Sequence, residues 1–205
     1  MRSKLVAVVV ALLIVPGFVH AQSGGVSADG WETRLDGAVA DVNDLSFMTM
    51  GDGFHVVTGP HAIFWNSEHV ASGTYTVQAT FIQTQPSSHP NSFGLFIGGR
   101  DLEGADQRYT YFLIREDGQF LMKKRVGDDT PNLAGGWARH EAVNALEGGR
   151  MTNTLSVEVG DEMIRFLSNG TELGSVSSDG LDVDGIAGVR FSHDLNVHVS
   201  GFTVE

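Results

Sequence analysis

An all-β sandwich or barrel is predicted by two features of this sequence taken together. One is a period-two alternation of apolar and polar residues through most of its length; the other is a set of tight-turn dipeptides placed between the alternating runs. A third feature narrows the choice. Beyond residue 21, no window of ten or more residues carries a convincing helical apolar stripe, which sets aside folds that bind a cofactor between helices.

Residues 1–21, MRSKLVAVVVALLIVPGFVHA, read as a secretory signal peptide: Arg2 and Lys4 precede an apolar run from Leu5 to Val15, a Pro-Gly break follows, and Val19-His20-Ala21 supplies the small-residue site. The run is shorter than the roughly 20 apolar residues that cross a bilayer, so an exported protein, secreted or periplasmic and without a membrane anchor, is expected. Residues 22–30, QSGGVSADG, are small and polar and predict a disordered lead-in to a single domain over residues 31–205. The sequence has no cysteine, so neither disulfides nor thiolate chemistry is available. Lys and Arg number 13 against 25 Asp and Glu, a formal charge of −12, which makes nucleic acid and anionic membrane poor partners.

The strands follow in order. Short runs at Phe47 to Met50, Phe54 to Thr58 and His61 to Trp65 precede a clean half-buried strand, Thr74 to Ile82, with Tyr75, Val77, Ala79 and Phe81 on one face. After Phe93 to Gly98, Asp117-Gly118 joins Arg108 to Arg115 with Gln119 to Val126 as a hairpin, because this dipeptide tolerates the backbone angles a tight turn needs. Trp137 to Val143 is the next candidate. Gly160-Asp161 and Asn169-Gly170 then join Thr152 to Val159, Glu162 to Ser168 and Thr171 to Ser177 in a three-stranded antiparallel meander. Ile186 to Ser192 and the alternating Leu195, Val197 and Val199 complete the set.

The order of several motifs resembles a known group. Trp137-Ala138-Arg139-His140, Asn153-Thr154-Leu155-Ser156-Val157 and Phe166-Leu167-Ser168-Asn169-Gly170 are similar to the strand and turn pattern of concanavalin A-like lectin and glucanase sandwiches. Laminin-G-like domains and the 3-keto-disaccharide hydrolase-type family belong to that group. Phe93-Gly94-Leu95-Phe96, Tyr109 to Ile114, Gly188-Val189-Arg190-Phe191 and the closing Val199 to Val204 fit the same pattern, over roughly residues 47–205. The resemblance implies a two-sheet antiparallel jelly-roll sandwich whose concave face commonly meets carbohydrate. It does not fix an activity, because one fold hosts binders and enzymes alike.

Candidate chemistry is sparse. The glucanases of this fold carry their carboxylates on one strand in an E-x-D-x-E pattern, and no strand here has it; Glu158 and Glu162 are separated by the Gly160-Asp161 turn, and Glu116 and Asp117 fall at a hairpin tip. Catalytic residues are therefore not nominated, and a 3-keto-disaccharide hydrolase-type activity stands as the alternative. His55 and His61 flank Thr58-Gly59-Pro60 and are expected to meet across a hairpin as a surface pair. No cofactor is called for. A structural calcium ion is the metal candidate, with Asp179, Asp182 and Asp184 as its ligands against the plainer reading of a solvated acidic turn.

A binding face is easier to find. On the Asp117-Gly118 hairpin, alternation puts Tyr109, Tyr111, Leu113 and Arg115 on one face and groups Lys123 and Arg125 with Leu121, in a chain with few other basic residues. Aromatic faces that stack on sugar rings, beside charged donors that hold hydroxyls, are what saccharide recognition requires. Tyr109, Tyr111, Arg115, Lys123, Arg125 and Trp137 are the expected contacts of a saccharide or glycoconjugate, bound without catalysis. The Pro-punctuated loop from Thr84 to Asn91, with His89, is a candidate rim. A protein-interaction module of laminin-G type is a second alternative, and would show a flat apolar patch instead.

Overall fold

A computed structural model describes residues 25–205 apart from residues 27 and 38. The expected signal peptide, residues 1–21, and residues 22–24 of the expected lead-in lie outside the described residues.

The chain forms β1 (Gly25–Val26), β2 (Trp31–Leu35), β3 (Leu45–Met50), β4 (Gly53–Thr58), β5 (Ala62–Ala71), β6 (Tyr75–Gln83), β7 (Ser92–Arg100) and β8 (Arg108–Arg115). It continues through β9 (Gln119–Val126), β10 (Ala138–Arg139), β11 (Met151–Val159), β12 (Met163–Ser168), β13 (Thr171–Ser177), β14 (Gly185–Phe191) and β15 (Leu195–Val204). Eight strands pair in the order β1-β3-β4-β15-β6-β11-β12-β13, and seven in the order β10-β9-β8-β7-β14-β5-β2. Among the described residues, only the short β1–β3 contact is parallel. The protein is thus an all-β, two-sheet antiparallel jelly-roll sandwich, with one 3-10 turn at Val42–Asp44 as the helical element among the described residues.

Alternation builds the core. Phe47, Val77, Ala79, Phe81, Leu155, Val157, Phe166, Val197 and Val199 of the eight-stranded sheet face Phe64, Phe93, Leu95, Phe112, Val189 and Phe191 of the other. Rings meet across the layers: Phe47 stacks on Phe64 at 4.3 Å between centroids, Phe81 on Phe93 at 5.3 Å, and Phe112 tilts on Phe166 at 5.5 Å. Without disulfides, this burial supplies the stability.

Three sequence expectations are corrected here. The lead-in is not wholly unordered: Gly25–Val26 pairs with Ser46 and Phe47, and Ala28 packs into the core. Its small residues can lie against a sheet edge that residues far along the chain supply. Thr58-Gly59-Pro60 is not a hairpin turn either, because it carries the chain from one sheet to the other. His55 therefore stands opposite His198 on β15, while His61 packs against His193 at 4.9 Å. The expected strand from Trp137 to Val143 is reduced to Ala138–Arg139. The loop beyond it is held by buried Asn153, whose Oδ1 accepts from the Asn144 N–H at 2.8 Å and whose Nδ2 donates to the Asn144 carbonyl at 3.0 Å.

Phe93, wholly buried between the sheets, gives the first test. Phe93→Ala should destabilise the domain by about 3–5 kcal/mol, the cost of truncating a buried phenylalanine. In a domain of this size that is a fall in Tm of roughly 10 °C, read by differential scanning calorimetry.

Candidate functional site

The outer face of the seven-stranded sheet, which alternation alone would leave solvated, is covered instead. Ile63, Trp65, Phe96, Leu102, Tyr109, Tyr111 and Leu113 form a second buried cluster there, with Trp137 and Ile186 packed at its margin. As a result β7 is buried on both faces from Ser92 to Gly99.

Register explains how the face is built. One row across the sheet runs Lys123, Tyr111, Phe96, Gly188, Trp65 and Glu32, and the next runs Leu121, Leu113, Gly94, Arg190, Ile63 and Arg34. The two glycines interrupt these rows. A Cβ on Gly188 would lie 2.5 Å from the Phe96 ring, so that ring occupies the missing side chain's place. A Cβ on Gly94 would collide with the Phe112 carbonyl oxygen, so that glycine lets β7 and β8 approach closely. The Arg190 guanidinium lies 5.2 Å from the Tyr111 ring centroid and donates to the Tyr109 hydroxyl at 2.8 Å.

Arg190 is 9% exposed, and a desolvated guanidinium needs a partner. Asp36, just beyond β2, grips it with both carboxylate oxygens. Arg125 approaches the same carboxylate at 4.0 Å and donates through Nε to the Gly127 carbonyl at 2.5 Å. With its amide assigned so that the oxygen faces the guanidiniums, buried Gln107 accepts from Arg125 at 3.1 Å and from Arg34 at 3.2 and 3.3 Å, which links three arginines through one amide and one carboxylate. Burial alone would raise the Asp36 carboxyl, but the adjoining Arg190 outweighs it and holds Asp36 below the usual carboxylate range. Burial pushes the Tyr109 phenol up to about 12.

Over this network lies a groove of about 430 Å³, lined by Tyr111, Leu113, Leu121, Lys123, Arg125 and Trp137, with Asp36, Arg190, His61, Ser92, Ser192, Asp128 and Thr130 around them. Of the residues the sequence nominated, Tyr111, Lys123, Arg125 and Trp137 are brought together in its wall. Arg115 sits behind them, its guanidinium 4.5 Å over the Trp137 ring and its Nε donating to Asp117 at 2.8 Å. Tyr109, expected as a contact, is 0% exposed and props Arg190 from below. The expected rim is near: His89 packs on His193, which in turn touches the groove residue His61, and Glu116 secures the Thr84–Asn91 loop by accepting from Gln83 Nε2, the Ser87 N–H and the Ser87 hydroxyl. Burial, followed by the neighbouring His193 and Arg190 charges, lowers the His61 pKa.

Arg190 and Asp36 were missed. Arg190 appeared only as part of a strand motif, and its signal was a charged residue at an outward position between glycine-rich neighbours. Asp36 reads as an ordinary Asp-Gly turn.

The acidic candidates do not converge. Asp182 pairs with Arg108 at 3.0 Å and Asp184 accepts from the Gly73 N–H at 3.0 Å, while Asp179 lies apart in the preceding turn. Among the described residues no three His, Cys, Asp or Glu side chains form a group suited to a metal ion. Beside Trp65, burial and then contact with Glu103 raise the Glu32 carboxyl. Carboxyls that flank a scissile glycosidic bond stand about 5 Å or more apart.

Other depressions are less suited to a ligand. One of about 690 Å³ borders β6, β11 and β12, where Arg165 is clamped by Glu158 at 2.7 Å and Glu172 at 2.8 Å, and its one ring, Tyr75, is buried with its hydroxyl donating to Val183. Another, of about 410 Å³, is walled by Trp31, Phe54, His69 and Phe202, rings that already pack on one another.

No family model matches the chain and no curated protein matches its sequence. Solved structures match its fold. A carbohydrate-binding module, CBM66, from Bacillus subtilis superposes with a TM-score of 0.63 at 10% identity over 86% of this chain and 95% of its own. A Bacillus subtilis protein of unknown function with a galectin-like fold gives 0.58 at 13% identity, over 85% and 88%. Sheep galectin-11, in complex with glycerol, gives 0.50 at 12% identity, over 77% and 100%.

Asp36 carries the pH prediction. Its folded pKa is depressed, so its contribution is complete above the ordinary aspartate value of about 4 and is lost as pH falls through the folded value. Asp36→Asn should cost about 3–5 kcal/mol at pH 7, because it leaves Arg190 buried without its countercharge. Urea titrations of both proteins from pH 7 down to pH 2 should show the gap narrowing below about pH 4; a gap that persists unchanged to pH 2 would mean that the pair carries no linked proton.

Proposed function

We propose that the protein is an exported saccharide-binding domain that holds its ligand in the groove on the outer face of the seven-stranded sheet and performs no chemistry on it. One observation carries this reading. The Trp137 ring is combined in a single groove with the cationic side chains of Lys123, Arg125 and Arg190, over a floor that includes the buried Tyr111 ring. Rings stack on the apolar faces of sugars, and preorganised donors hold hydroxyls without a large ordering cost. The architecture is one on which a carbohydrate-binding module and a galectin are built, which supports the reading at the level of fold.

Two features favour binding over hydrolysis. Asp36 is tied to Arg190 and held ionised, whereas the general acid of a glycosidase needs a raised pKa. Asp128, the other carboxylate of the groove, lies at its exposed margin beside Arg125 at 3.7 Å. A protein-interaction module would call for a flat apolar patch, and this face is hollow and charged.

The reading predicts that oligosaccharides raise the Tm of the protein without being cleaved. Trp137→Ala should weaken the best of them about tenfold, as expected for one lost aromatic platform. Isothermal titration, with chromatography of the same samples for released sugar, checks both points; release of product from the wild type would replace the binding module with an enzyme.

A further inference from the structure

The charges of the groove run against those of the protein. The chain as a whole carries −12, yet the groove is lined by Lys123, Arg125 and Arg190 against Asp36 and Asp128, with Arg34 behind them through Gln107. Asp36 is divided between Arg190 and Arg125, and Asp128 is fully exposed. That leaves Lys123. Its ammonium donates to the Thr130 hydroxyl at 3.1 Å, and among the described residues no carboxylate reaches it. Arg115, the other nearby cation, is satisfied by Asp117.

Most exposed lysines need no partner, because water solvates them. Lys123 differs in its setting: it is half-buried in the groove wall, across the β8–β9 ladder from Tyr111 and next to Arg125 two residues on. Burial, then the like charges of Arg190 and Arg125, lower its pKa; three cations against two carboxylates line the groove around it. An anion placed there would relieve that repulsion and offer the ammonium the partner it lacks.

Resting on the saccharide-binding reading, we infer that the groove takes an acidic saccharide, with a carboxylate or sulfate group seated against Lys123 and Arg125 and its ring against Trp137. Thr130, Ser92 and Ser192 supply neutral hydroxyls for the remainder of the ligand.

The test uses the purified protein and matched pairs of oligosaccharides. Oligogalacturonates and oligomannuronates are compared with their carboxyl-reduced forms, and carrageenan oligosaccharides, whose only charge is sulfate, with their desulfated forms, each by isothermal titration at 20 and 300 mM NaCl. The acidic member of at least one pair should bind about tenfold more tightly at low salt, as a charge-assisted contact requires, and lose most of that advantage at high salt. Which pair responds separates carboxylate from sulfate. Lys123→Gln should abolish the preference, while Lys123→Arg retains it and both variants keep the wild-type Tm within a few degrees. Neutral members that bind as well as acidic ones, or a preference that survives Lys123→Gln, would overturn the inference and leave saccharide binding standing. If neither these oligosaccharides nor neutral ones such as cello- and galacto-oligosaccharides bind, both readings fall together.

Discussion

The middle of the seven-stranded sheet must be dry on both sides, and most of what distinguishes this protein follows from that. The inner side of β7 is covered by the opposing sheet through Phe93, Leu95 and Ile97. Among the described residues no third layer lies on the outer side, so the sheet is covered largely by its own side chains, and Gly188 leaves the Phe96 ring the space to lie over it. A guanidinium drawn into that layer loses its hydration. It is tolerable only because Asp36, Tyr109 and Tyr111 surround it with charge, a hydrogen-bonding oxygen and a ring face.

Such a cluster is a poor way to gain net stability, since desolvating an ion pair costs about as much as the pair returns. Its value lies in geometry. A guanidinium gripped through two carboxylate oxygens has few rotamers left, so its remaining charge is presented to the groove in a fixed direction. Arg125 is fixed in the same way by Gly127 and Gln107. Lys123 lacks such bracing and keeps more freedom, which suits a side chain that meets a ligand over one that shapes a floor.

The β8–β9 hairpin was legible because Asp117-Gly118 fixes its register, and register fixes which side chains share a face. Tyr111, Lys123 and Arg125 are therefore grouped by the sequence alone, whereas the place of Trp137, beyond the hairpin, does not follow from that register. What could not be read was depth. Tyr109 and Tyr111 share a face and are both buried, because Arg190, from a strand some eighty residues later, reaches the Tyr109 hydroxyl and lies over the Tyr111 ring. Local patterns carry no information about a partner that distant. The same limit explains β1 and β2, whose pairing with β3 and β5 depends on where those strands lie, and the mistaken pairing of His55 with His61, whose strands belong to different sheets.

Charge placement raises a final question, since a protein of net charge −12 repels an anion at long range. At physiological ionic strength the screening length is about 8 Å, so most of the acidic surface is invisible to a ligand until contact. Within that distance only the groove's own charges count, and they are predominantly cationic. The low-dielectric floor made by Tyr111, Leu113 and Leu121 weakens screening further and concentrates the local field. The acidic exterior and the basic groove are therefore compatible with the proposed acidic ligand: a net charge of this size favours solubility, and the groove's cations would act only over the few ångströms at contact.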